Sequence, residues 1–233
     1  MKDKPSVIFF DIGHTLVRGT KPSARRLLAA DLALSEKEAK RAGRLMMIHY
    51  SQSPSALAGA LKQVLPNRSE AEIRSSLEKL WDRQIADVAE IDGATPLLRS
   101  LKNSGFKLGV LSNIWHPFYE GLRRSCSEML ELIDYQVLSY RTGHKKPDLR
   151  LFRYALQKAD ASASSCWMVG DTYELDMAPA LKIGMHTVWL LTHPDREKST
   201  IAQLLRGEKK PPDWVTEDLQ GISAFLQKRE ERK

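Results

Sequence analysis

From Gly93 onward the sequence alternates short apolar runs of strand character with longer amphipathic stretches, and few folds accommodate that alternation. Helical periodicity over residues 95–104 is followed by Gly105 and a strand over 107–111. A helix near 119–132, a strand over 135–138, a helix over 149–158 and a strand over 167–169 come next. The series continues with a helix over 175–183, a strand over 187–190 and a short strand at Trp214-Val215 before a closing helix. Near the start, Val7-Ile8-Phe9-Phe10 follows Pro5 as an unbroken β-branched and aromatic run, the mark of a strand buried on both faces. Strands alternating with helices predict an α/β fold whose parallel sheet is covered on both sides.

One stretch breaks the pattern. Between Pro22 and about Glu90 the apolar residues recur only at helical spacing, as in Leu27/Leu28/Leu32, Ala42/Leu45/Met46, Leu57/Leu61 and Ile73/Leu77/Leu80/Trp81. Ser35 with Glu38 and Ser69 with Glu72 match the capping box, and Ser53-Pro54 places proline at a first helical position. Four helices are expected to form a separate bundle over residues 17–92, inserted into an α/β core made of residues 1–16 and 93–233. Residues 205–213, with Gly207 and Pro211-Pro212, read as a surface loop.

A chain of 233 residues buries roughly 70% of its unfolded surface and needs no disulfide. Its two cysteines, Cys126 and Cys166, form neither a disulfide framework nor a zinc pattern and read as small buried apolar residues of a reducing, cytoplasmic setting. No apolar stretch reaches the roughly 18 residues of a membrane span, and the charged start lacks the apolar centre of a signal peptide. The net charge of +7 comes from short clusters without interleaved aromatics, which read as solvated helix faces and not as a specific nucleic-acid surface. A small anionic substrate suits the same charge, and nothing in the pattern sets an oligomeric state.

Four strand ends carry polar groups: Asp11, Ser112-Asn113, Lys146 ahead of Pro147-Asp148, and Asp171 with Asp176. Singly, each has an ordinary explanation as a turn, a cap or a solvated charge. Parallel strands bring such ends together, and the set then matches the needs of magnesium-assisted phosphoryl transfer to a carboxylate. Hard oxygen ligands suit Mg²⁺, an ammonium group neutralises the phosphate, and a hydroxyl holds its oxygens.

The segments FFDIGHTL, VLSN, KKPD and MVGDTYELD, in that order, closely resemble the four motifs of the haloacid dehalogenase-like hydrolase superfamily, over nearly the whole chain. The resemblance implies a Rossmann-like three-layer core, and the position of the insertion resembles the type with a helical cap. It implies an aspartyl-phosphate on Asp11, with Ser112, Asn113 and Lys146 binding the substrate phosphate. It also implies Mg²⁺ held by Asp11, Asp171 and the carbonyl of Gly13, with Asp176 supporting the ion. Cap residues such as His49, Tyr50 or Trp81 become candidates to face the cleft.

Gly13 departs from the family pattern. Phosphatases of the superfamily carry a second aspartate there, which protonates the leaving oxygen and then activates water; glycine does neither. Its expected uses are a sharp turn after Asp11 and a carbonyl for the metal. His14 is the nearby candidate for the acid/base role, with His116 and His144 behind it, while His186 and His193 show no metal-ligand spacing. The leading expectation is a phosphohydrolase with an atypical proton-transfer step. The alternatives are a catalytically silent member acting through a ligand or partner, and carbon–halide hydrolysis, against which the acidic pair of the fourth motif argues.

Overall fold

Residues 7–19, 22–223 and 225 are described in the computed structural model of the chain. Six strands form one sheet: β1 (Val7–Phe10), β2 (Lys107–Ser112), β3 (Tyr135–Leu138), β4 (Cys166–Gly170), β5 (His186–Leu190) and β6 (Trp214–Thr216). Their order is β3-β2-β1-β4-β5-β6 and every pair is parallel. β1 lies inside the sheet, which explains its unbroken apolar run. Ile8 and Phe10 enter one layer with Val110 and Val169, whereas Val7 and Phe9 enter the other with Leu111 and Met168. The chain lays β2 and β3 on one side of β1 and returns to β4 on the other, so the connections diverge at the carboxyl ends of β1 and β4. That is where open α/β sheets hold ligands.

The insertion is helical throughout: α1 (Ala24–Asp31), α2 (Glu36–Ile48), α3 (Pro54–Lys62) and α4 (Glu70–Ala86). Both capping boxes form reciprocally, and Ser53 Oγ accepts from the Ala56 amide with Pro54 at the first turn of α3. These caps satisfy amides that a helix leaves unbonded at its start. The four helices share a core of Leu28, Met46, Leu57, Leu61, Ile73, Leu77 and Trp81, separate from the two layers of the sheet. Trp115 joins that core, and its indole N–H donates to Gln84 Oε1 at 3.0 Å.

Around the sheet run α5 (Ala94–Asn103), α6 (His116–Ser125), α7 (Ser127–Glu131), α8 (Ser139–Thr142), α9 (Leu149–Ala159), α10 (Ala178–Ile183) and α11 (Lys198–Leu205). The single helix expected over 119–132 is two, because Cys126 leaves the helical region with φ −133° and ψ 37°. The helix expected over 175–183 opens instead as a π-helical turn, Tyr173–Met177, and becomes α10 only at Ala178. Pro179 has no N–H to donate to the Leu175 carbonyl, so regular winding is interrupted there. α8 and α11 were not expected. The loop over 206–213, the β6 strand and helical turns at 219–223 are observed, and both cysteines are buried and free. Among the described residues no helix is long and apolar enough to cross a membrane.

Candidate active site at the strand ends

Asp11 follows β1 directly, and its amide donates to the Val169 carbonyl at 2.8 Å, fastening the end of β1 to β4. Lys146 is 1% exposed, yet its ammonium lies 2.6 Å from Asp11 Oδ1 and 2.5 Å from Asp176 Oδ1. Asp176, also 1% exposed, accepts the Thr172 amide on its other oxygen at 3.1 Å. Thr172 Oγ1 donates to Asp171 Oδ1 at 3.1 Å, and the Asp171 carbonyl accepts from Trp189 Nε1 at 3.0 Å. One oxygen from each of Asp11, Asp171 and Asp176 falls within 4.8 Å of the others. The all-oxygen donor set is the kind that hard cations take.

Charge shapes this centre. Burial pushes Asp171 up to about 7, with the charges of Asp11 and Asp176 adding to it. Burial likewise pushes Asp176 up to about 6; Lys146 opposes the rise and Asp11 adds to it. Burial alone would lower Lys146, but the Asp11 and Asp176 carboxylates outweigh it and hold the ammonium above its usual range. Three carboxylates share one ammonium, and the excess negative charge resists full ionisation.

The segment carrying Lys146 is fixed by Asn113. Its side-chain amide donates to the Lys146 carbonyl at 3.0 Å and its carbonyl oxygen accepts the Lys146 amide at 2.7 Å. Asn113, expected to bind substrate, thus tethers the third motif to the second. Ser112 ends β2, buried, with its hydroxyl free of hydrogen-bond partners among the described residues. Thr172 escaped the reading of the sequence, although it sits inside the fourth motif; it orients both of that motif's carboxylates.

One expectation needs correction at the first motif. Gly13 takes no left-handed conformation, and a side chain at its α-carbon would meet nothing within 4 Å; His14 adopts the positive φ of 60° instead. The sharp turn therefore does not require glycine at 13. The His14 ring packs edge-on against His193, with centroids 5.7 Å apart, and lies so close over Gly19 that a methyl group there would collide with it. Of the other histidines, His116 sits among Trp81, Tyr50 and Tyr140, His144 lies 3.9 Å from Asp148, and His186 stacks on Trp167. Trp81 is core, His49 bonds to Ser51, and Tyr50 is 55% exposed.

Comparison with known proteins agrees with this arrangement. A family model for haloacid dehalogenase-like hydrolases matches residues 5–184. The chain is 29% identical over 153 residues to the pyrimidine 5'-nucleotidase YjjG of Escherichia coli, a match covering 64% of this chain and 63% of that relative's length. It is 26% identical over 194 residues to the glyceraldehyde 3-phosphate phosphatase of Pyrococcus abyssi, covering 78% of this chain and 80% of the other. Among solved structures, a predicted phosphatase from Clostridium acetobutylicum superposes with a TM-score of 0.63 at 16% identity, covering 98% of this chain and 100% of that one. The 2-haloacid dehalogenase of Pseudomonas syringae superposes with a TM-score of 0.63 at 20% identity, covering 96% and 98%, so both share the fold. With four strand-end motifs converging on one buried centre and a family match spanning most of its length, the chain belongs to the haloacid dehalogenase-like hydrolases.

Proposed function

We propose that this hydrolase is a Mg²⁺-dependent phosphohydrolase acting on a small phosphorylated substrate through Asp11. The observation that carries the reading is the group of three carboxylates beside a single buried ammonium, whose two excess negative charges when ionised one divalent cation would neutralise. Buried charge without compensation is costly, and hard oxygen donors favour magnesium. Asp11, Asp171 and the Gly13 carbonyl would hold the ion, with Asp176 behind them. When bound, the ion neutralises phosphoryl oxygens and so lets an anionic nucleophile approach.

Lys146 holds Asp11 Oδ1, while Oδ2 takes no hydrogen bond among the described residues and is the oxygen we assign to attack phosphorus. The P–O ester bond breaks, the leaving oxygen departs with its electron pair, and an aspartyl-phosphate remains. Ser112 and Asn113 end the neighbouring strand, where the Ser112 hydroxyl can donate to a phosphoryl oxygen. Water then attacks phosphorus, inorganic phosphate leaves and Asp11 is restored. At Gly13 no carboxylic acid protonates the leaving oxygen, so aryl and acyl phosphates, which depart unprotonated, should react best. His14 is the titratable side chain next to that gap. Helices α1 to α4, within residues 17–92, act as the cap that selects substrate.

The relatives named for nucleotide and glyceraldehyde 3-phosphate hydrolysis support phosphate-ester chemistry without fixing this chain's substrate. The test is acid-quench trapping of the intermediate with acetyl phosphate and Mg²⁺. A phosphoryl mass increment on Asp11, absent from Asp11→Asn, is expected. Mg²⁺ binding with no trapped intermediate and no turnover would instead identify a silent member of the family.

A further inference from the structure

Asp171 and Asp176 are tied together through a single peptide unit. The bond joining Asp171 to Thr172 carries the Asp171 carbonyl on one side and the Thr172 amide on the other. The carbonyl accepts from Trp189 Nε1 at 3.0 Å, and the amide donates to Asp176 Oδ2 at 3.1 Å. The unit is trans and planar, so its carbonyl and N–H point in opposite directions and any rotation that spoils one bond spoils the other. Trp189 therefore acts on both carboxylates through a hydrogen bond to the main chain.

The fold explains why a tryptophan stands there. In the parallel pairing of β4 with β5, Trp189 lies opposite Gly170, the residue before Asp171. Its ring is buried, and a buried indole has one N–H that must find an acceptor. Tyr173, also buried, packs edge-on against that ring with centroids 5.6 Å apart and planes at 65°. The Tyr173 hydroxyl donates to the Lys210 carbonyl at 2.6 Å, while Lys209 pairs with Glu174 and sets its ammonium 5.1 Å from the Tyr173 ring centre. The loop that carries both lysines is fastened to β5 in turn, because Asp213 Oδ2 accepts the Thr187 amide at 2.8 Å and its hydroxyl at 2.9 Å. A brace thus runs from β5 through the loop to the fourth motif. On the remaining side Asp176 lies against Gly170, where a Cβ would collide with its carboxyl group.

We propose that Trp189 is a positioning residue of the cation site, holding Asp171 and Asp176 in orientation through their shared peptide unit, with Tyr173 as its outer support. The inference rests on the Mg²⁺ part of the proposed function and does not depend on turnover. Groups that orient metal ligands from behind, without touching the ion, are commonly worth roughly 10- to 100-fold in metal affinity.

Trp189→Phe keeps an aromatic ring beside Tyr173 and deletes the donor. Calorimetry, at a temperature where melting curves show the variant fully folded, is expected to find Mg²⁺ bound about tenfold or more weakly than by the wild-type chain. Trp214→Phe, which changes a tryptophan stacked on Phe225 in the outermost strand β6, should leave the Mg²⁺ Kd unchanged. A folded Trp189→Phe with a lowered melting temperature but the wild-type Mg²⁺ Kd would make Trp189 a packing residue only, and the proposal would be overturned. Should Trp189→Phe fail to fold, Tyr173→Phe decides, since it loses only the hydroxyl bonded to the Lys210 carbonyl: a raised Mg²⁺ Kd supports the brace and an unchanged one overturns it. A wild-type chain that binds Mg²⁺ but forms no aspartyl-phosphate from acetyl phosphate loses the phosphohydrolase reading, while the comparison of Kd values still decides the role of Trp189. A wild-type chain that binds no Mg²⁺ overturns that role outright.

Discussion

On one flank of Asp11, Lys146 is sealed between two carboxylates and Asn113 grips its main chain; on the other, Gly13 has open space where a side chain would stand and His14 turns against His193. The first flank holds charge before any reaction begins, so its groups must be fixed in advance. In the proposed reaction the second is where a proton would be delivered, and Gly13 has no side chain to deliver it. A reaction that needs little proton transfer can run on such a site.

The largest effect should come from breaking the closed flank. Lys146→Met leaves Asp11 and Asp176 buried without their cation, which should cost about 3–5 kcal/mol of stability in urea unfolding. Turnover of acetyl phosphate should fall by about 10³. Turnover within tenfold of wild type would mean that Lys146 does not position Asp11. Filling the open flank is next: Gly13→Asp should raise hydrolysis of alkyl phosphates by about 10² to 10⁴ and that of aryl phosphates less. Because nothing lies within 4 Å of the added carbon, its melting temperature should hold nearly steady. A folded, metal-binding variant with no gain would show that the absent acid is not what limits the reaction.

Asn113→Ala tests the tether within the closed flank. Leaving the Lys146 amide and carbonyl without their side-chain partner should cost about 1–3 kcal/mol and slow turnover, read by melting and steady-state kinetics. Smaller again is a pH effect. With Asp171 raised to about 7 and Asp176 to about 6, the folded chain holds protons that the unfolded chain has released. Without magnesium, this contribution to stability is present at low pH and is lost as pH rises from the ordinary carboxylate range through about 7. Magnesium binds the ionised forms, so it should raise the melting temperature more at about pH 8 than at about pH 5.5. An equal rise at both would break the link between these carboxylates and the ion.

Much of this was legible in the sequence because it depends on local pattern. The Val7–Phe10 run, both capping boxes and the order of strands and helices after Gly93 follow from burial periodicity and from end-of-helix bonding. Less legible were features that depend on a distant neighbour or on a single backbone torsion. The break at Cys126 and the π-helical turn before α10 are of this kind, as is the transfer of the positive φ from Gly13 to His14. A propensity reading assigns that torsion to glycine, whereas His14 holds it, with its ring against Gly19 and His193 and its amide donating to the Val17 carbonyl at 2.7 Å.

By itself the sequence determined which chemical groups stand at the strand ends, since a parallel sheet places every such end on one side. Tertiary structure alone decided how they are paired. Lys146 joins Asp11 to Asp176 across the sheet, and Asn113 tethers the main chain of Lys146. Charge interactions of this sort depend on separation and burial, and neither is encoded in the spacing of residues along a chain.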